Sequence, residues 1–305
     1  MDHSADIIRE YAEAYPERIR PIYQTENQHS KGGVSIIGDC ILPAARGRYI
    51  AICEGDDRWC DPHKLQRQYD YMESHPECSV CLHNTIDHDL SGRKPDRSFN
   101  DWNEIHRMSD EDVFMGGKVH TSSFFFRTDV LRKCYPEYGK GYWFGDLIRL
   151  SCAMDQGEAV CLSQVMSVYN SHNPQGASES AYRTGLRRRL SAKQQTVDFL
   201  TKFNEATQGR HDEAIRERIA YENVYIEYDS CTIRLKELLE QEPADKEETI
   251  RTAGKLAENE YTRQLIGKQS GPSKWKVSYK YYGYRYGYSL WKAVMRKWVL
   301  PGISL

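Results

Sequence analysis

The sequence predicts an α/β fold with a parallel sheet over the first 180 residues, because helical and strand patterns alternate there. Apolar residues recur at helical spacing in residues 4–15, 36–44 and 62–75, and short apolar segments lie at 49–53 and 79–83. Strands separated by helices pair in parallel through right-handed crossovers. Beyond residue 180 the segments become long, charged and helix-favouring, which predicts an all-α C-terminal extension.

The most informative segment is residues 49–59, in which an apolar strand is followed directly by an acidic turn. Residues 49–53 are typical of a buried strand, and Glu54, Asp56 and Asp57 place three carboxylates at its end. In open α/β sheets, ligands bind at the carboxyl ends of the strands. Because the three carboxylates repel one another, we expect them to bind a divalent cation, Mg2+ or Mn2+. A solvated turn is the alternative for an arbitrary Glu-Gly-Asp-Asp.

Composition indicates a cytoplasmic globular protein. The 305 residues carry a formal net charge of -2, which does not favour binding to nucleic acid. No apolar segment approaches the ~20 residues that span a membrane, and the first residues lack the basic and apolar parts of a signal peptide. Nine cysteines spread through mixed secondary structure are typical of a reducing compartment rather than of a disulfide framework.

Four potential zinc ligands are spaced like the two halves of a zinc site: Cys60, His63, Cys78 and Cys81. Cys78 and Cys81 lie in a predicted strand, however, where residues three apart point to opposite faces. Structural thiols are therefore the favoured interpretation, and zinc is the alternative.

The sequence around the acidic turn resembles the sugar-nucleotide region of family 2 glycosyltransferases. Glu-Gly-Asp-Asp-x-Trp is followed by Asp-Pro-x-Lys-Leu at residues 61–65, a variant of the family's Asp-x-Asp-type motif. The resemblance covers roughly residues 2–180 and implies a GT-A fold, whose mixed, mostly parallel sheet carries helices on both faces. It also implies that Asp56 and Asp57 bind the metal and that Glu54 faces the ribose or the metal's outer coordination sphere.

The resemblance implies a catalytic base and a third metal ligand further along the chain. Asp146 opens a predicted helix behind two aromatic residues and matches the family's base, although an isolated Asp there is most often an N-cap or dipole partner. His172 matches a histidine that reaches the metal or the diphosphate, and a solvated loop histidine is the alternative. The resemblance also implies that Trp143 and Ser122 lie on the acceptor side of the site. It implies that three residues bind the nucleotide sugar: Asp2, Asn27 and Lys31.

The resemblance begins late, because family members open with a strand, a helix and a second strand that are absent here. We expect an N-terminally truncated GT-A-like domain at 1–180 with exposed apolar surface, a helical extension at 181–270 and a basic aromatic tail at 271–305. Residues 273–305 contain many Lys, Arg, Tyr and Trp residues and no acidic residue, a pattern that fits the surface of an anionic membrane. A helix packed on the catalytic domain is the alternative.

Together these features predict a metal-dependent, inverting transfer of sugar from a UDP-linked donor to a hydroxyl of a glycan or lipid-linked acceptor. The setting would be cell-surface polysaccharide synthesis at the inner face of the membrane. The first alternative is a catalytically inactive truncated relative that acts as a scaffold. The second is a nucleotidyltransferase, which would need a Gly-rich phosphate loop that the N-terminal sequence lacks. The donor sugar and the linkage depend on pocket details that motifs do not reveal.

Overall fold

The computed structural model describes residues 3–24, 26, 35–138, 142, 144–173, 176, 185–241, 245–259, 290, 291, 293 and 294. The chain divides into two compact units. The first comprises Met1–Ile86, Ser98–Met108 and Lys118–Val168, and the second comprises Asp87–Arg97, Ser109–Gly117 and Tyr169–Leu305. Two segments that precede residue 180 therefore belong to the second unit. The predicted domain boundaries at 180 and 270 stay predictions.

The sheet has seven strands, and its order does not follow the chain. The central order is β1-β6-β3-β7-β2, with β4 beside β3 and β5 beside β7. The strands are β1 (Tyr49–Ala51), β2 (Arg58–Trp59), β3 (Cys78–Asp89), β4 (Arg97–Ser98), β5 (His106–Arg107), β6 (Phe125–Arg127) and β7 (Glu158–Ser171). The mixture of this sheet with helices confirms the predicted α/β class.

The expected parallel pairing is wrong for the strand pairs whose register is described. β1 with β6, β3 with β6, β2 with β7 and β5 with β7 are all antiparallel. β1 and β3 both run antiparallel to β6, so they are parallel to each other, as the helix between them predicts. The later strand β6 lies between them. Helix–strand alternation sets the direction of successive strands, but it does not reveal which distant strand inserts between them.

The helices of the first unit are α1 (Ser4–Ala14), α2 (Leu42–Ala44), α3 (Lys64–Ser74), α5 (Thr128–Tyr138) and α6 (Asp146–Gln156). A π-helical segment, Ile36–Ile41, runs directly into α2. The buried cluster under α3 includes Met72, Cys78, Cys81 and Phe125. A disulfide joins Cys134 to Cys152, so the expectation of unpaired thiols is wrong for this pair. The two cysteines meet only because α5 packs against α6, a contact that spacing does not reveal.

Helix α1 lies at its predicted position but has no buried residue. Ile7, Ile8, Tyr11 and Tyr15 are 55, 44, 53 and 52 % exposed. Apolar residues at helical spacing normally face a core. The apolar residues of α1 are nonetheless exposed.

Most of the second unit is helical, and its helices after residue 180 confirm the predicted all-α extension. It contains α4 (Asp110–Met115), α7 (Leu186–Ala206), α8 (Asp212–Glu240) and α9 (Lys246–Glu258). Its apolar core includes Tyr225, Tyr228, Leu235 and Leu256. Among the helices of the described residues, none is long and apolar enough to cross a membrane. Most of the predicted tail at 271–305 lies outside the described residues.

Candidate donor-binding site

Backbone hydrogen bonds to the sheet fix both ends of the acidic turn. Just after β1, the Ile52 amide donates to the carbonyl of Phe124 over 3.1 Å. Within the turn, the Asp57 amide donates to the carbonyl of Glu54, also over 3.1 Å. β2 then pairs with β7, where Trp59 lies opposite Ser167. The turn is therefore anchored to two strands of the sheet.

Glu54, Asp57 and His120 converge at this turn. One potential ligand atom from each residue lies within 4.8 Å of the other two. Asp57 Oδ2 lies 3.5 Å from His120 Nδ1, and the two side chains are 1 % and 14 % exposed, respectively. Two carboxylates and an imidazole in this arrangement are suitable ligands for a divalent cation.

His120 was not among the predicted ligands, and no sequence signal links it to the acidic turn. It precedes the 3-10 turn Thr121–Ser123 and caps that turn, because the Ser122 amide donates to its Nδ1 over 3.3 Å. The residue reaches Asp57 because β6, which follows the 3-10 turn, lies beside β1. Only the order of the strands in the sheet brings these residues together.

Charged residues of the acidic turn and of helix α6 both affect the pKa of Glu54. Partial loss of hydration raises the pKa of Glu54 above its usual value, and the charge of Asp57 raises it further. Arg149 opposes this rise, whereas Asp146 and Asp56 add to it. Asp146 and Arg149 of α6 therefore lie within electrostatic range of Glu54.

Asp146 and Arg149 occupy the first turn of α6. The exposed Asp146 is the first residue of the helix, and its Oδ1 accepts a hydrogen bond of 2.9 Å from the Leu147 amide. Arg149 is only 7 % exposed, and its guanidinium group lies against Gly145. The structure thus gives α6 one exposed carboxylate and one buried cation near the acidic turn.

Two buried side chains of α3, Lys64 of the Asp-Pro-x-Lys-Leu motif and Gln68, pack next to the acidic turn. Lys64 is buried, donates to Gln68 Oε1 over 2.7 Å and lies 4.3 Å from the centre of the Trp59 ring. Burial lowers the pKa of Lys64 to about 8. The Gln68 amide donates to the carbonyls of Cys81 and Ser123 over 2.7 and 2.8 Å. These contacts attach α3 to β3 and to the 3-10 turn.

The remaining predicted site residues are not grouped with Glu54, Asp57 and His120. Asp56 is exposed beside them but does not belong to the set of three converging ligand atoms. His172 has a left-handed φ of 57° and lies near Asp89. Hydrogen bonding by Ser91 lowers the pKa of Asp89, and the charge of His172 adds to this effect. The metal-binding roles of Asp56 and His172 stay predictions.

Ser122, predicted on the acceptor side, is fully buried, and its carbonyl accepts a hydrogen bond of 3.0 Å from Trp59 Nε1. Because Ser122 is buried and its amide donates to His120 Nδ1, it holds the His120 ring in position. Four other predicted residues lie outside the described residues: Asp2, Asn27, Lys31 and Trp143.

Comparison with known proteins relates the N-terminal part of the chain to one family. Residues 1–133 match the model of glycosyl transferase family 2. This segment contains the acidic turn, the Asp-Pro-x-Lys-Leu motif and His120. This match to glycosyl transferase family 2 agrees with the resemblance noted in the sequence.

Individual relatives match shorter parts of the chain. An uncharacterized glycosyltransferase of Nostoc sp. (strain PCC 7120) is 27 % identical over 188 residues, which are 60 % of this chain and 56 % of that protein. TuaG of Bacillus subtilis, named for teichuronic acid biosynthesis, is 35 % identical over 71 residues, 23 % of this chain and 26 % of that protein. An uncharacterized protein of Mycobacterium bovis is 48 % identical over 82 residues, 27 % of this chain and 22 % of that protein.

The chain thus spans between 22 % and 56 % of the length of these curated relatives. Among solved structures, residues 1–349 of S. aureus TarS align with a TM-score of 0.45 and 13 % sequence identity. That alignment covers 89 % of this chain and 81 % of the TarS chain.

Proposed function

We propose that this protein transfers a sugar from a UDP-linked donor to a hydroxyl group of a glycan or lipid-linked acceptor, with inversion at the anomeric carbon. The proposal assigns separate roles to two groups of residues, one for the sugar donor and one for the acceptor. Asp57 and Glu54 would serve the donor, and Asp146 would serve the acceptor. The convergence of one ligand atom each from Glu54, Asp57 and His120 within 4.8 Å is the observation that carries the proposal.

A divalent cation, Mg2+ or Mn2+, fits the acidic turn. Glu54, Asp57 and His120 would hold it, since their ligand atoms lie within 4.8 Å of one another and include two carboxylates. When bound, the cation neutralises the charge that develops on the leaving diphosphate. The fully buried Lys64 and the hydrogen bonds of Gln68 would keep the turn in place while the donor binds.

Asp146 is the proposed general base. An inverting transfer needs a group that removes the proton of the acceptor hydroxyl as its oxygen attacks the sugar. The Asp146 carboxylate is exposed at the start of α6, where an acceptor hydroxyl could reach it. Arg149, one turn further along the helix, would balance the negative charge of Asp146 and Glu54.

The acceptor class is proposed by analogy with the name of TuaG, which refers to teichuronic acid biosynthesis. A surface polysaccharide or its lipid-linked precursor would present hydroxyl groups at the cytoplasmic face of the membrane. The basic aromatic residues at 273–305 would then contact anionic lipid headgroups.

Calorimetry of UDP binding in the presence of Mn2+ tests the donor site. We expect Asp57→Asn to weaken UDP binding at least tenfold, because the substitution removes a carboxylate ligand of the cation. The control Asp70→Asn, on the exposed side of α3, should leave the affinity within twofold. Equal UDP affinity in the two variants would refute the donor-site assignment.

The catalytic role of Asp146 requires a separate measurement. We expect Asp146→Asn to leave UDP affinity within threefold and to slow hydrolysis or transfer from UDP-sugars by about 100- to 10,000-fold. Loss of UDP binding in this variant would instead place Asp146 in the donor site. Unchanged turnover would show that another group acts as the base.

The exposed apolar residues of α1 favour a second candidate, an inactive relative that binds a partner protein. Such a protein need not retain metal-dependent nucleotide binding. A folded chain that binds neither UDP nor Mn2+ would support this candidate over the transferase.

A further inference from the structure

We propose that the disulfide between Cys134 and Cys152 is a redox switch that controls the use of the acceptor and leaves the binding of the donor unchanged. Its effect on sugar transfer rests on the proposed function, because Asp146 is the proposed base. Its effect on helix α6 does not, since the opening of a helix is measured without any substrate.

The disulfide closes a loop that contains the acceptor half of the candidate site. Cys134 lies in α5 and Cys152 in α6, with a sequence separation of 18 and Cα atoms 5.6 Å apart. Asp146 and Arg149 lie inside this loop, whereas the three converging residues of the acidic turn lie outside it. The loop therefore includes the proposed base and none of the proposed cation ligands.

Hydrogen bonds hold the C-terminal end of α6. The Ser79 hydroxyl donates to the Ala153 carbonyl over 2.7 Å, and Gln156 Nε2 donates to a backbone carbonyl of α5 over 3.0 Å. Cys152 precedes these contacts and lies less than two helical turns after Asp146. The disulfide therefore adds a covalent tie between these hydrogen bonds and the first turn of the helix.

The position of the disulfide links its redox state to the opening of α6. Cys134 and Cys152 are buried, as are Ile148 and Leu150 of α6, so a reductant reaches the sulfur atoms only when α6 opens locally. Local opening costs less free energy when a cross-link no longer closes the loop that contains the helix. After reduction, the first turns of α6 therefore open more often, and Asp146 is less often in place for the acceptor.

The switch is a two-electron exchange with a dithiol. A thiolate of the reductant attacks one sulfur of the pair, the bond between Cys134 and Cys152 breaks, and a mixed disulfide forms. The second thiol of the reductant then displaces the bound cysteine, which leaves two protein thiols and a cyclic disulfide. The two protons on the protein thiols come from the two thiols of the reductant. Oxidation by the cyclic disulfide follows the same steps in reverse.

The cysteine content of the chain favours regulation over a permanent cross-link. Nine cysteines spread through mixed secondary structure are typical of a reducing compartment, and seven of them are free in the structure. Disulfides in such compartments are usually transient and act in catalysis or redox sensing. The proposed transfer chemistry uses neither Cys134 nor Cys152, which leaves redox sensing.

The first experiment compares the oxidised and reduced states of the full wild-type chain. Buffers of dihydrolipoate and lipoate set the state, and alkylation followed by mass spectrometry measures the fraction of the disulfide. Hydrogen exchange then measures the opening of α6. We expect reduction to speed the exchange of the amides of residues 149–152, whose helical acceptors lie in the first turn, at least tenfold. The exchange of β1 amides should change less than twofold.

Transfer and UDP binding are measured on the same two states. We expect reduction to lower kcat for sugar transfer at least tenfold and to change UDP affinity less than twofold, because the acidic turn lies outside the closed loop. The double variant Cys134→Ala/Cys152→Ala should show the rate of the reduced wild type in either buffer. Cys231→Ser, which removes a free thiol of α8, is the control and should respond to the buffers as the wild type does. The comparison of the wild-type states does not require the double variant to fold.

The outcomes separate the switch from the proposed function. A disulfide that stays intact in excess dihydrolipoate, or equal exchange of residues 149–152 in the two states, would overturn the switch. A transfer rate that is the same in both states would also overturn it, because the proposed base would then not depend on the disulfide. An absence of UDP binding and of transfer in both states would refute the proposed function and the control of the acceptor. Redox-dependent exchange in α6 would in that case still establish the conformational switch.

Discussion

His83 shows how burial alone changes the chemistry of a single residue. It lies in the buried part of β3 and is fully buried, and its Nδ1 donates to the Asn84 carbonyl over 2.8 Å. Burial lowers the pKa of His83 to about 3, and the nearby charge of Lys64 contributes to this decrease. The folded protein therefore keeps His83 neutral over most of the acidic range.

This decrease predicts a pH dependence of stability. As the pH falls from about 6.5 towards 3, the unfolded chain takes up a proton on His83 and the folded chain does not, so stability is lost. The loss approaches 1.4 kcal/mol per pH unit. Between pH 7 and pH 5, the wild type should lose about 2 kcal/mol more unfolding free energy than His83→Gln. Urea unfolding followed by circular dichroism measures this difference.

His63→Gln provides the control, because His63 is exposed. Identical pH dependence of the wild type and His83→Gln would contradict the neutral, buried state of His83.

At the scale of elements, the end of α6 and the start of β3 meet at Gly157. Gly157 follows the last residue of α6, and the Glu158 amide next to it donates to the Glu77 carbonyl over 2.9 Å. The Ser79 hydroxyl donates to the Ala153 carbonyl over 2.7 Å. A Cβ atom on Gly157 would lie 2.6 Å from the Glu77 carbonyl oxygen. Backbone atoms occupy the space that a side chain would need.

We therefore expect Gly157→Ala to lower the unfolding free energy by about 2 kcal/mol, since the backbone must move to accept the methyl group. Gly55→Ala is the control, because no atom lies within 4 Å of the added Cβ. Its effect should stay within about 0.5 kcal/mol. Equal stability of the two variants in denaturant titrations would show that β3 and α6 do not approach this closely.

At the scale of the whole molecule, the proposed donor site predicts stabilisation by ligands. A ligand that binds only the folded state raises the unfolding free energy by about 2.7 kcal/mol when its concentration is 100 times its dissociation constant. UDP with Mn2+ should therefore raise the melting temperature of the wild type. The affected transition should be that of the first unit, which contains the acidic turn.

Thermal unfolding with and without UDP and Mn2+ measures this effect. Asp57→Asn should show a smaller increase in melting temperature than the wild type, because its affinity for UDP is lower, and Asp70→Asn should show the same increase as the wild type. An equal increase in Asp57→Asn would place the binding of UDP elsewhere in the molecule.

Features that depend on neighbouring residues were predictable from the sequence. The apolar residues before Glu54 predicted β1, and helical spacing predicted α1 and α3, because these elements form from local preferences. The crowding of Glu54, Asp56 and Asp57 predicted a cation site, and this stays a prediction, although Glu54 and Asp57 do lie close together. The change to helix-favouring segments after residue 180 predicted the α-helical extension.

The tertiary structure alone decided which distant residues meet. His120 joins Asp57, Cys134 pairs with Cys152, and β6 inserts between β1 and β3. No local pattern encodes such contacts, because they follow from the packing of whole elements and the order of strands. The sequence by itself therefore determined the elements and the acidic half of the candidate cation site. The packing of β6 beside β1 decided that His120 lies next to Asp57.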